Sequence, residues 1–272
     1  MSEPPSDDLF PVTGPDDHAL AADIAGRAGA LLLRLRAEAG TGVADPAAAK
    51  ALGAEGDRLA HELIVAALGL ARPDDAVLSE EGRHRGGEAP GAPGAGARRI
   101  WIVDPLDGTR EFTEGRGDFA VHVALVDHGR PVAGAVALPG EDLVLATVPA
   151  PPFPAASSGA VRLLVSRTRP LALATAVAGR LGAETVALGS AGAKTMAVVR
   201  GRGDIYLHAG GQYEWDSAAP VAVALAAGLW ASRLDGTALV YDRPDPWLPD
   251  LLVCRPELAD EVLAAVDAEG VP

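Results

Sequence analysis

Between residues 16 and 36 the apolar positions Leu20, Ile24, Ala28, Leu31, Leu32 and Leu35 recur every three or four residues. That spacing predicts an amphipathic helix with Asp16 or Asp17 as its N-cap. Residues 38–54 are rich in glycine and alanine and read as a loop. A second helix is expected from Glu55 to Leu70, stopping before Arg72-Pro73. From residue 99 the pattern changes to short apolar runs at 99–103, 120–126, 131–138 and 143–148, bounded by turn residues. These read as strands of a central sheet, with Asp127-His128-Gly129 as a hairpin turn. Beyond a proline-rich stretch at 149–159, strands are expected near 161–166, 185–188, 204–208, 229–233 and 250–254. Helices are expected between and after them, near 170–182, 191–200, 216–227 and 257–267. Such alternation predicts a layered α/β (α+β) fold. The expected organisation is a flexible tail at 1–15, an N-terminal lobe at 16–155 and a C-terminal lobe at 156–272. A low-complexity stretch at 82–98, GRHRGGEAPGAPGAGAR, reads as a mobile surface loop.

Composition narrows the classes. The chain has 272 residues, 49% hydrophobic, enough for a large core. No apolar run approaches the ~20 residues of a membrane span. The acidic, proline-rich start has neither the basic residues nor the apolar stretch of a secretory signal. A single cysteine, Cys254, excludes an internal disulfide and reads as core within its apolar run. The cytoplasm is the compartment these features predict. With 37 acidic against 23 basic residues the net charge is −14, so nucleic acid and anionic membranes are not expected partners. An acidic chain can still handle an anionic substrate if cations gather where its carboxylates converge.

The segment Ile100-Trp101-Ile102-Val103-Asp104-Pro105-Leu106-Asp107-Gly108-Thr109 brings an apolar strand straight into two aspartates. Carboxylates directly after a buried strand must be paired, hydrated or metal-bound. Gly108 allows close backbone approach, and a helix opening near Thr109 would offer free N–H groups to a phosphate. Hard oxygen ligands without a neighbouring His or Cys suit Mg²⁺ better than zinc. Either aspartate alone could simply cap a turn. Two further acidic sites strengthen the chemical reading. Val77-Leu78-Ser79-Glu80-Glu81 ends another apolar run in carboxylates, and Glu214-Trp215-Asp216 opens a small-residue helix. The six histidines are scattered, and none is given a catalytic role.

DPLDGT at 104–109, the Glu-Glu pair upstream and Trp-Asp-x-x-Ala at 215–219 together resemble the inositol monophosphatase family of lithium-sensitive, magnesium-dependent phosphatases. The resemblance runs from the first helix to about residue 255. It implies an alternating αβαβα sandwich of the inositol monophosphatase and sugar phosphatase type, often dimeric. It also implies roles. Glu80, Asp104 and the Leu106 carbonyl would hold one Mg²⁺, and Asp104, Asp107 and Asp216 a second. Asp57 with Thr109 would position the attacking water, and Glu80 with Asp57 would share a weaker third ion. The family commonly has a threonine just upstream of that aspartate, where this chain has Glu55 and Gly56. Gly108 and Thr109 would steady the phosphoryl oxygens through their amides, with Asp216 also reaching substrate. Lys50 and the 38–54 loop are expected to close over the metals.

The run Arg110-Glu111-Phe112 after DGT is similar to the branch that removes the 3′-phosphate from 3′-phosphoadenosine 5′-phosphate (PAP), a by-product of sulfate assimilation. LSEEG, Val165 to Arg169, Gly189 to Lys194 and His208 to Gln212 agree with actinobacterial CysQ-type members of that branch. Arg167, Arg169, Ser190 and Lys194 are then candidates for phosphate contacts, and Tyr213 or Trp215 for flanking adenine. Arg167, Arg169 and Lys194 could equally be ordinary solvated charges. Inositol monophosphate and fructose 1,6-bisphosphate are the alternative substrates, and a non-catalytic metal or nucleotide sensor is the non-enzymatic alternative. Haloacid-dehalogenase-like phosphatases place one residue between their aspartates; here Pro105 and Leu106 separate them, so that motif does not fit.

Overall fold

The structure is a computed structural model and describes residues 16–40, 42–84, 99–156, 159–168 and 172–270. The expected tail at 1–15, Arg169 and nearly all of the expected 82–98 loop lie outside these residues. Two long helices open the fold, α1 (Asp17–Ala39) and α2 (Pro46–Ala71). Asp16 caps α1 by accepting from His18 N at 3.1 Å, and Asp45 caps α2 by accepting from Ala48 N at 2.8 Å. The loop expected over 38–54 is therefore shorter. Asp45-Pro46 supplies an N-cap and a first-turn proline, and the following alanines are strong helix formers. Lys50 thus sits on a helix.

Six strands form the first sheet: β1 (Ala76–Ser79), β2 (Gly82–His84), β3 (Arg99–Asp107), β4 (Ala120–Asp127), β5 (Arg130–Leu138) and β6 (Leu143–Ala146). Their order is β2-β1-β3-β4-β5-β6, with β1 and β3 parallel. A short helix, α3 (Thr109–Thr113), follows β3. The second sheet comprises β7 (Arg162–Ser166), β8 (Glu184–Leu188), β9 (Ile205–Tyr213), β10 (Trp230–Ser232) and β11 (Trp247–Cys254), in the order β10-β11-β9-β7-β8. Its helices are α4 (Ala172–Leu181), α5 (Ala191–Val199), α6 (Glu214–Ala226) and α7 (Ala259–Asp267).

Alternation along β3 and β4 sorts the side chains into two cores. Trp101, Val103, Val121 and Val123 pack under α1 and α2 with Ile24, Leu32 and Ile64. Ile100, Ile102, Ala120 and Ala124 face the other way, towards Met196 of α5, Val221 of α6 and Tyr206 and Leu251 of the second sheet. A third core joins Leu163, Leu252 and buried Cys254 to Val177 of α4 and Val262 of α7. The layers therefore run helix, sheet, helix, sheet, helix, the expected αβαβα order. The α5–α6 layer lies between the sheets, and its helix N-termini meet the carboxyl end of β3.

Candidate active site

Residues i and i+3 of a regular strand point to opposite faces. Asp104 and Asp107 do not, because β3 is bulged between them: Asp104 pairs with His122 and Asp107 with Ala120, three residues against two. Pro105-Leu106 supplies the extra residue, and both carboxylates face the α5–α6 layer while Leu106 is buried among the α1–α2 core. The parallel pairing of Ser79 with Val103 sets Glu80 beside Asp104. Asp216 comes from the first turn of α6, where its Oδ2 accepts from Tyr213 N at 2.7 Å.

Asp104, Asp107 and Asp216 each offer an oxygen within 4.8 Å of the others, a group that can hold a metal ion. Glu80 lies outside that group and joins it through a hydrogen bond with Asp104. Burial, and then repulsion by Asp107, Glu80 and Asp216, raises Asp104 well above the usual carboxylate range. Burial and Asp107 raise Asp216 to about 6, and burial with the charges of Asp216 and Asp107 raises Glu80 to about 7. Asp107 departs from this trend. Burial would raise it, but His122, Ser190 and Gly192 bring it down to about 2. Its Oδ2 accepts from Ser190 Oγ at 2.5 Å and Gly192 N at 2.6 Å, and Oδ1 accepts from Ala191 N at 3.2 Å. Asp107 thus caps the α5 N-terminus, where backbone N–H groups stabilise negative charge.

Asp57 approaches from α2. Burial, then Glu80 and Glu81, push it up to about 7, and its Oδ1 is buried without a partner among the described residues. A cavity of about 350 Å³ between α2 and α3 is lined by Asp57, Thr109, Lys50 and Gly53 among others. Thr109 Oγ1 donates to the Leu106 carbonyl at 3.3 Å. Gly108 adopts φ 91°, which suits glycine and turns the chain into α3. An all-oxygen donor set, mutual repulsion among carboxylates and an orphaned Asp57 oxygen fit hard divalent cations.

The proposed phosphate contacts divide. Ser190 is drawn into the cluster through Asp107. Lys194 is no solvated charge: it is 5% exposed, and its Nζ donates to Ser190 O at 2.6 Å and Gly189 O at 3.3 Å. Burial lowers its pKa, against the pull of Asp107, Glu111 and Asp216. Arg167 is already engaged, its Nη2 donating to Glu111 Oε1 at 2.9 Å and Glu114 Oε2 at 2.7 Å. Tyr213 and Trp215 stack on each other, ring centroids 4.7 Å apart, and Tyr213 is 46% exposed. Sequence reasoning missed His122. The ring is fully buried, with Nε2 3.2 Å from Asp107 Oδ2 and Nδ1 3.0 Å from Trp215 O. The available signal was a lone histidine inside the apolar run Ala120 to Val126, in phase with the core.

A model of the inositol monophosphatase family matches residues 17–269. The chain is 48% identical over 263 residues to a 3′-phosphoadenosine 5′-phosphate phosphatase of Mycobacterium leprae, covering 92% of this chain and 93% of that protein. It is 49% identical over 248 residues to the protein of the same name from Mycobacterium bovis, covering 88% and 89%. Among solved structures, CysQ from Bacteroides thetaiotaomicron superposes with a TM-score of 0.72 at 26% identity, over 88% of this chain and 97% of that one. With the αβαβα layers and the carboxylate cluster, these likenesses establish that the chain belongs to the inositol monophosphatase family of phosphomonoester hydrolases.

Proposed function

We propose that the enzyme hydrolyses the 3′-phosphate of 3′-phosphoadenosine 5′-phosphate, releasing AMP and phosphate, with Mg²⁺ at the carboxylate cluster. The observation that carries the reading is the convergence of Asp104, Asp107 and Asp216 within 4.8 Å. Glu80, Asp104 and the Leu106 carbonyl would hold one ion; Asp104, Asp107 and Asp216 would hold another, and Glu80 with Asp57 a weaker third. Bound divalent cations acidify water and neutralise charge on the ester oxygens. Asp57, with an unpartnered buried oxygen, and Thr109 orient the attacking water. The Gly108 and Thr109 amides steady the phosphoryl oxygens.

The mycobacterial relatives support the substrate. Lys194 and Ser190 provide polar contacts for the nucleotide, Arg167 would reach it by leaving Glu111 and Glu114, and the Tyr213–Trp215 stack offers adenine a π-face. In this reading the enzyme works in the cytoplasm; no helix of the described residues is long and apolar enough to cross a membrane.

A panel of PAP, inositol 1-phosphate and fructose 1,6-bisphosphate, assayed with Mg²⁺ and with or without Li⁺, tests the proposal. PAP should show the highest kcat/KM, with activity abolished by chelation and inhibited by Li⁺. A higher kcat/KM for either sugar ester would overturn the substrate, and stoichiometric binding without phosphate release would indicate a sensor.

A further inference from the structure

His122 lies on β4 directly opposite Asp104 in the ladder, with its ring aimed at the aspartates of the candidate metal site. Its two nitrogens serve different elements. Nε2 stands 3.2 Å from Asp107 Oδ2, at the end of β3. Nδ1 stands 3.0 Å from the carbonyl of Trp215, the residue that precedes Asp216 on α6. Both neighbours are acceptors: Nδ1 is hydrogen-bonded to its carbonyl, while Nε2 makes a close polar contact with Asp107 outside hydrogen-bond geometry. One rigid, fully buried ring therefore spans the strand end that carries Asp107 and the helix turn that carries Asp216.

Two further observations point the same way. Asp107 Oδ2 also accepts from Ser190 Oγ at 2.5 Å and Gly192 N at 2.6 Å, so the protein takes up this oxygen. Oδ1 accepts one longer bond, from Ala191 N at 3.2 Å. The helix opposite has given way to the ring. A Cβ at Gly192 would lie 2.0 Å from His122 Nε2, so any other residue there would expel the imidazole.

We infer that His122 is a positioning residue: it sets the separation of Asp107 and Asp216 and leaves Asp107 Oδ1 to a shared divalent cation. The inference rests on the reading of these aspartates as metal ligands. Partners that orient ligating groups typically contribute ~10–100-fold to metal affinity.

The test is calorimetric titration of chelated, substrate-free protein with Mg²⁺ or Mn²⁺, comparing wild type, D216N, H122L, H122Q and H122N. The binding component lost in Asp216→Asn marks the site in question. In His122→Leu that component should weaken ~10–100-fold. His122→Gln places an amide where Nε2 was and should recover most of the affinity, whereas His122→Asn, which reaches only towards the Nδ1 side, should recover less. Thermal melts of the metal-free proteins report folding; if His122→Leu does not fold, the Gln and Asn pair carries the comparison. Wild-type affinity in His122→Leu, or equal weakening in Gln and Asn, would overturn the inference. A wild-type protein that binds no divalent cation would instead overturn the metal-ligand reading beneath it.

Discussion

Ser190 Oγ donates to Asp107 Oδ2 at 2.5 Å although the two residues are 83 positions apart. Ser190 does this from φ 49° and ψ 137°, a backbone conformation uncommon for a non-glycine residue. The same Oγ accepts from Ala193 N at 2.9 Å, capping α5, and Lys194 Nζ holds the Ser190 carbonyl. Strain of ~1–3 kcal/mol persists only where its surroundings over-determine it, and here three separate contacts do so.

Ser190→Ala keeps the strained backbone and loses a hydrogen bond to a charged group. Denaturant unfolding should show a loss of ~1.5–3 kcal/mol. Ser190→Gly relieves the positive φ and should be less destabilised than Ser190→Ala. Wild-type stability in the alanine variant would show that the hydroxyl does not hold Asp107.

Gly53 lies inside α2, where alanine would be favoured by ~1 kcal/mol on helix propensity. A Cβ there would sit 2.7 Å from Thr109 Cγ2, and a rotation of that side chain would carry Oγ1 with it. Gly53→Ala is therefore expected to lower kcat while the melting temperature changes little. Unchanged kcat would remove Thr109 Oγ1 from the water-orienting role.

Removing metal should reverse the usual effect of mild acid. In the metal-free protein Asp57 and Glu80 titrate at about 7 and Asp216 at about 6, all above their ordinary values. Between those ordinary values and the raised ones the folded chain holds protons that the unfolded chain has released, so stability falls as pH rises through the window. Asp107, depressed to about 2, acts oppositely and only below about pH 4. Chelated protein should melt higher at about pH 5 than at about pH 8, and saturating Mg²⁺ should flatten that slope. Identical slopes with and without Mg²⁺ would exclude a shared cation.

Tyr213 is half exposed and carries no metal ligand of its own, so its ring can be removed to test the nucleotide face. Tyr213→Ala should raise KM for PAP by about tenfold, the equivalent of ~1.4 kcal/mol within the range for base stacking. KM for inositol 1-phosphate, which has no base, should stay the same. Equal changes for both esters would place adenine elsewhere.

Much of the layered fold was legible because short apolar runs survive at Trp101 to Val103 and Ala120 to Val126, and a 3.6-residue period at Leu20 to Leu35. The first turns of α2 were not, since Ala47 to Ala54 has little periodic contrast and its one glycine, Gly53, resembles a loop signal. Gly53 and the later Gly56 make room instead, the first for Thr109 and the second for Leu106. The acidic residues were legible by type, because carboxylates after apolar strands need an explanation. What linear spacing could not supply was register. The His122–Asp104 pairing exists only once β3 and β4 are in register, and the Asp107–Ser190 bond and the Arg167–Glu111 ion pair only once the second sheet and its helices pack on the first.

The bulge in β3 makes the metal site a question of parity. With the same two residues between Asp104 and Asp107, an unbroken ladder would pair the backbone more regularly, yet would turn the second carboxylate among the aliphatic side chains under α1 and α2. Straightening the strand at this spacing thus trades a flaw in pairing for a charge in oil. The irregular strand is the arrangement in which the sheet can be both stable inside and charged at its end.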